Sequence, residues 1–202
     1  DERLDVAARE LIGEDLADVE AGQVLGELVE LVALQPPGRH DLAEGALDAA
    51  AELGVPVVLM HMLGEPRSMQ ASPEYDDVVG EVHRFLAERI FAAEMAGIAR
   101  KNIVVDPGFG FGKTTAHNLQ LLAQLERFTE LGVPVLAGLS RKRTIGELTG
   151  RSEPRERVAG SVAAHLVAAQ QGALLLRVHD VAAMVDALKV WNAVAAVPAP
   201  RK

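Results

Sequence analysis

From residue 55 onward the chain alternates between two patterns of apolar and polar residues. Short, continuously apolar runs at 55–60, 102–105, 134–138 and 173–178 read as strands buried on both faces. Between them lie longer segments with apolar positions three and four residues apart, the mark of amphipathic helices. The first, over 75–95, places Val78, Val82, Phe85, Leu86 and Ile90 on one face; the second, over 115–131, does the same with Leu121, Leu122, Leu125 and Phe128. Helices over 158–170 and 181–195 complete the series, and Gly97, Gly132 and Gly172 stand where helices end. Four strand–helix units in succession predict an α/β fold with a parallel sheet and right-handed crossovers, either doubly wound or closed as a (β/α)8 barrel.

The first 54 residues differ. Leu4, Ala8, Leu11 and Ile12, and again Leu25, Leu28, Val29 and Val32, repeat at helical spacing, so residues 1–34 are expected to be helical. A Pro- and Gly-containing loop follows at 35–40, then a helix over 42–53 that stops at Gly54. This part is also acidic: residues 1–54 hold 14 Asp and Glu against 3 Arg, whereas the remainder holds 15 acidic and 17 basic residues. The whole is read as one domain over 1–202, with an atypical acidic segment at 1–41 and a frayed tail at 197–202. No continuous basic stripe suits a nucleic acid, and no apolar run approaches the roughly 20 residues that span a bilayer. With no secretory signal at the start, a cytoplasmic protein is expected. The absence of Cys excludes disulfides, thiolate metal sites and Cys nucleophiles.

The chemistry gathers where strands end. Ile103, Val104 and Val105 run into Asp106, and Pro107 with Gly108, Gly110 and Gly112 then releases the chain into a tight loop. Asp106 is either a ligand-facing carboxylate or the cap of the helix that begins near residue 114. His61 follows Met60 at another strand end; Met60 reads as core or pocket wall, and His61 as structural or as part of a site. Ser140, Arg141 and Lys142 sit at a strand-to-helix turn, where they suit a bound anion or an ordinary N-cap with two solvated cations. Arg177 lies within an apolar strand, where an unpaired charge is costly, and it alternates onto the same side as His179. Two cations there suit a diphosphate. Gly112-Lys113-Thr114 imitates the end of a phosphate-binding P-loop, but Pro107 stands where the first Gly is required.

Taken together, Met60-His61-Met62, the run from Asp106 to Lys113 with His117-Asn118, Gly138-Leu139-Ser140-Arg141-Lys142, and Arg177-Val178-His179-Asp180-Val181 resemble the later strand-end motifs of the dihydropteroate synthase family, in order and in spacing. The resemblance covers about residues 42–195. It implies a (β/α)8 barrel whose strands five to eight are present here. It also implies a transferase of folate synthesis that joins 6-hydroxymethyl-7,8-dihydropterin diphosphate to 4-aminobenzoate with release of diphosphate. By resemblance Asp106 and Lys142 are the catalytic candidates: Asp106 bonds the pterin ring, and Lys142 reaches the pterin carbonyl region beside the aminobenzoate. Met60, Phe111 and Gly138 line the pocket, Ser140 and Arg141 serve the aminobenzoate carboxylate, and Arg177 and His179 hold the diphosphate. The resemblance further implies Mg²⁺, sulfonamide competition on the Ser140 and Lys142 side, and a homodimer in which Met184, Leu188 and Trp191 of the last helix could serve.

The family's earlier motifs are not found in residues 1–41: an opening strand whose Asn links to Mg²⁺ with its Thr-Pro-Asp-Ser-Phe-Ser loop, a Gly-Gly-Glu-Ser-Thr-Arg-Pro loop, and the Asp-Thr and Asn-Asp strand ends. The metal ligand is therefore unassigned. A full barrel takes about 250 residues, so some of the first four units are expected to be missing, in a truncated or rearranged protein or a segment of a longer one. Two other readings stand beside this: another pterin-binding or methyltetrahydrofolate-binding barrel, and a non-catalytic homologue that acts as an interaction protein.

Overall fold

The computed structural model describes residues 29–35, 46–64, 69 and 73–198. The expected helix at 4–12, the loop at 36–40 and the tail end at 199–202 lie outside the described residues, as does most of the loop at 62–73.

Among the described residues five strands run parallel: β1 (Val29–Gln35), β2 (Val57–Leu63), β3 (Ile103–Asp106), β4 (Leu136–Ala137) and β5 (Leu175–Leu176). β1 pairs with β2 from Val29 opposite Val57 to Gln35 opposite Leu63, and β2 pairs with β3 from Val57 opposite Ile103 to Met60 opposite Asp106. The Val105 amide donates to the Pro134 carbonyl across 2.9 Å, which carries the ladder on to β4 and β5. Strand order thus follows chain order, without the reversal that marks a doubly wound sheet. This is an arc of a (β/α)8 barrel.

One element corrects the sequence reading. Residues 29–35, expected to close a helical segment, form β1. Val29 and Val32 fit a helical face, but Val29, Leu31, Val32, Ala33 and Leu34 are also nearly continuous apolar residues. A seven-residue parallel ladder with β2 decides between the two patterns, because pairing satisfies the strand's backbone groups and propensity is only a weak prior.

The helices fall close to the predicted spans: α1 (Ala46–Leu53), α2 (Val78–Met95), α3 (Thr115–Ala123), α4 (Glu126–Thr129), α5 (Arg143–Thr149), α6 (Val158–Gln170) and α7 (Val181–Ala195). The helix expected over 115–131 is interrupted at Gln124, dividing it into α3 and α4. α2 begins at Asp77, whose carboxylate accepts from the Gly80 amide while Glu81 accepts from the amides of Asp76 and Asp77. Met184 is buried, and Leu188 and Trp191 on the same face of α7 are half-buried. Among the described residues no helix is long and apolar enough to cross a membrane.

The sheet separates two apolar clusters. Val57, Leu59, Ile103, Val105, Val135 and Ala137 face the helices and pack with Val82, Phe85, Leu86, Leu121 and Phe128. Val58, Val104 and Leu136, with Leu175 against them, form the inner layer. Side chains on a strand return to one face every second residue. The next inward positions along the four strands are therefore Met60, Asp106, Gly138 and Arg177, at the C-terminal mouth.

Candidate functional site

Asp106 is 1% exposed, and both its oxygens are engaged within the chain. Oδ1 accepts from the Gly108 amide at 2.7 Å, an Asx turn that starts the glycine loop. Oδ2 accepts from Arg177 Nη2 at 3.0 Å. Asp106 does not cap α3. Thr114 does, its hydroxyl accepting from the His117 amide while the His117 ring accepts from the Thr114 amide. Gly138 lies close beside this pair: a Cβ there would stand 3.1 Å from Arg177 Nη2, which would have to shift slightly.

The loop from Pro107 to Gly112 lies directly on the tip of β2. A Cβ on Gly108 would overlap the His61 carbonyl, and one on Gly112 would overlap the Leu63 carbonyl; both glycines also hold positive φ, 73° and 64°. Asn118 ties the loop to its neighbours, accepting from the Gly110 amide at 2.9 Å and donating to the Thr144 hydroxyl at 2.9 Å. Tyr75 closes the other end, donating to the Gly112 carbonyl at 2.9 Å.

Lys142 reaches across to this loop. Its ammonium donates to the Phe109 carbonyl and stands 4.3 Å from the centre of the Phe111 ring. Phe111, Lys142, Arg143, Thr144, Thr115 and Asn118 contribute to the walls of a cleft of about 490 Å³. Phe111 and Lys142 line it; Asp106 and Arg177 do not.

Ser140 is buried and turned toward the Arg177 side: its hydroxyl accepts from the His179 amide at 3.1 Å and lies 3.0 Å from His179 Nδ1. Arg141 adopts φ +58°, an uncommon conformation for a residue with a Cβ. Three contacts hold it there. Its amide donates to Ser161, its carbonyl accepts from Arg157, and its guanidinium forms two bonds with Asp180, at 3.0 and 2.5 Å. The ion pair holds the Asp180 carboxyl below its ordinary range and raises the Arg141 guanidinium. Met60 is buried in register with Asp106. The structure thus brings Met60, Asp106, Gly138 and Arg177 together on the inner face, and Ser140, Lys142, His179 and Phe111 around them. Arg141 is committed to Asp180.

Three further polar residues are buried: His61, which the sequence left open as structural or as part of a site, and Lys113 and His165, which it did not assign to the site. Lys113, the end of the incomplete P-loop, turns inward and is 3% exposed. Its ammonium contacts His61 Nδ1 and donates to the carbonyls of Gly108 and Phe111. Burial lowers its pKa to about 7, against the opposing pull of Asp106. His61 faces outward from the mouth, edge-on to Phe85, and burial with the nearby Lys113 charge holds it well below the usual imidazole range. His165 accepts from the Leu139 amide through Nε2 and donates from Nδ1 to the Ser161 carbonyl. The signals available were a Lys directly after a glycine loop, and a His within a helix otherwise made of small and apolar residues.

Among the described residues no three His, Asp or Glu side chains assemble as a metal site, and Asp106, the buried carboxylate of the mouth, is already held by Gly108 and Arg177. The described donor set does not fit the Mg²⁺ that the resemblance implies.

A parallel barrel arc that carries a buried carboxylate, an arginine and a lysine at its C-terminal mouth defines the class: an α/β-barrel whose strand tips form a small-molecule pocket. The chain belongs to the family of pterin-binding enzymes, whose model matches residues 39–179. It is 52% identical over 149 residues to dihydropteroate synthase of Escherichia coli, an alignment that covers 74% of this chain and 52% of that protein. Among solved structures, dihydropteroate synthase of Stenotrophomonas maltophilia aligns with a TM-score of 0.76 at 73% identity, over 78% of this chain and 59% of that one. That of Xanthomonas albilineans in complex with 7,8-dihydropteroate aligns with a TM-score of 0.71 at 74% identity, over 76% and 57%. The chain spans about half the length of the curated relatives it matches.

Proposed function

We propose that this chain supplies the later half of a dihydropteroate synthase, which condenses 6-hydroxymethyl-7,8-dihydropterin diphosphate with 4-aminobenzoate to give 7,8-dihydropteroate and diphosphate. The observation that carries the reading is the Asp106–Arg177 pair at 3.0 Å, with Lys142 and Phe111 beside it. A flat heterocycle with N–H donors is met by a carboxylate, which only accepts hydrogen bonds. Arg177 and His179 stand where the phosphorylated arm would leave.

The C–O bond between the pterin methylene and the diphosphate breaks, and diphosphate departs with the electron pair. The arylamine nitrogen attacks the methylene carbon of the resulting pterin cation and then loses a proton. Arg177 and His179 stabilise the charge that develops on the leaving group. The cleft bordered by Phe111 and Lys142 holds aminobenzoate in line, with the Lys142 ammonium for its carboxylate. Ser140 orients His179 through its hydroxyl. No general base is assigned, and no step is routed through Mg²⁺.

A cytoplasmic setting and a homodimer belong to the same reading. Val190 and Val194, exposed four residues apart on α7, support a self-association surface. Sedimentation of the purified chain tests it.

Diphosphate release from the two substrates, with Mg²⁺ supplied, is the decisive assay. Turnover lost in Arg177→Ala is the result expected. Absence of both turnover and pterin binding in the wild-type chain overturns the reading; pterin binding without turnover assigns the chain a binding role alone.

A further inference from the structure

We propose that Lys113 is a positioning residue for this reaction: its ammonium, sunk beneath the loop at 107–112, fixes where Asp106, Phe111 and Lys142 stand. The inference rests on the dihydropteroate synthase reading.

A lysine ammonium has three N–H donors. Lys113 Nζ has three acceptors around it: His61 Nδ1 at 2.8 Å, the Gly108 carbonyl at 3.0 Å and the Phe111 carbonyl at 3.1 Å. The His61 ring then carries its own proton on Nε2. The three acceptors belong to the tip of β2, the first turn of the loop and its last turn. With its donors so used, Lys113 acts through these groups rather than on substrate.

Each acceptor bears on a residue of the mouth. Gly108 is the residue whose amide Asp106 accepts. Phe111 carries the ring that meets Lys142, and the Lys142 ammonium donates to the Phe109 carbonyl between them. Removing the ammonium therefore loosens the Asp106 side and the Phe111–Lys142 side together. A buried position of this kind is filled at lower cost by an apolar side chain, unless the charge has work at that place. Burial lowers the Lys113 pKa to about 7, and the neighbouring Asp106 carboxylate favours the protonated form.

The test uses the full chain and 6-hydroxymethylpterin, with affinity and thermal stability measured in parallel. Lys113→Met is expected to fold and to bind the pterin at least about tenfold more weakly, the range for losing hydrogen bonds to a charged group. The sequence holds no Cys, so Lys113→Cys introduces a single thiol. Alkylation in denaturant with 2-bromoethylamine, in which the thiolate displaces bromide to form a C–S bond, followed by refolding, restores an ammonium at the reach of lysine. Binding should return to within about threefold of identically treated wild type, while alkylation with bromopropane should not restore it.

Three results overturn the inference. One is wild-type affinity in folded Lys113→Met. Another is equal recovery with the charged and uncharged alkyl groups. The third applies if Lys113→Met does not fold: His61→Phe, which deletes one acceptor, then binds the pterin as wild type does. Failure of the wild-type chain to bind any pterin removes the functional reading along with this one, whereas each of the three leaves that reading standing.

Discussion

Arg177 Nη2 donates to Asp106 Oδ2 across 3.0 Å, joining the tips of β3 and β5 although 71 positions separate the two residues in the chain. The Asp106 side chain is buried and the Arg177 side chain is 31% exposed. The pair therefore places a desolvated acceptor next to a cation that still meets solvent at the mouth. It is where the pterin and phosphate ends of the proposed substrate would meet.

Removing either partner should have a different consequence. Asp106→Asn keeps the shape but loses the charge, and should weaken 6-hydroxymethylpterin binding by roughly 10- to 100-fold, as measured by titration calorimetry. Arg177→Ala leaves Asp106 buried without this cation. Deleting a fully buried partner costs about 3–5 kcal/mol; with Arg177 partly exposed, about 1–3 kcal/mol is expected. That would appear as a melting temperature lower by roughly 3–10 °C. Arg177→Ala should also reduce affinity for the pterin diphosphate far more than for the bare pterin; equal losses would detach Arg177 from the leaving group.

Glycine is required at 108 for space and at 150 only for backbone conformation. Gly108→Ala would drive a Cβ into the His61 carbonyl, so loss of soluble folded protein, or destabilisation beyond about 3 kcal/mol, is expected. Gly150→Ala has a similar φ of 69° but nothing within 4 Å, and should cost only about 1 kcal/mol. Urea denaturation of the two variants measures the contrast.

Stability should rise with pH in two ranges. His61 and His165 are held below the usual imidazole value by burial, so below about pH 6.5 the unfolded chain takes up protons that the folded chain refuses. Stability is lost there as pH falls. Lys113 behaves likewise higher up: from about pH 7 toward the ordinary lysine value of 10.5, the unfolded chain binds a proton that the folded chain has released. Urea midpoints should therefore increase from pH 7 to pH 9, and Lys113→Met should flatten that slope. An unchanged slope in the variant would assign it to other groups.

Phe111→Leu keeps an apolar wall but removes the ring beneath the Lys142 ammonium. The contact is worth about 0.5–1 kcal/mol at a partly exposed site. Affinity for 4-aminobenzoate should fall by roughly three- to fivefold, with pterin affinity little changed. Competition titration separates the two, and a larger loss on the pterin side would assign Phe111 to the pterin instead.

Much of the site was legible because strand periodicity and strand ends are local properties. Val104 followed two positions later by Asp106, and Leu175 followed by Arg177, already imply that both polar residues share a face with the inner layer. The amphipathic spacing within α2 and α7 likewise depends only on neighbouring residues, and those helices fall within a few residues of their expected spans. The same local reasoning failed at 29–35, where helical and strand patterns coexist and the ladder with β2 chose between them.

By itself the chain determined which segments are strands and helices after residue 55, and which polar residues stand at strand ends, since both follow from the chemistry of adjacent residues. The tertiary structure alone decided what those residues meet: Arg177 on Asp106, Asp180 on Arg141, His165 beneath Leu139, and Lys113 folded under its own loop onto His61. These contacts link segments far apart in the chain, and they are fixed by strand register and by close approaches that only glycine permits. No periodicity along the chain encodes them.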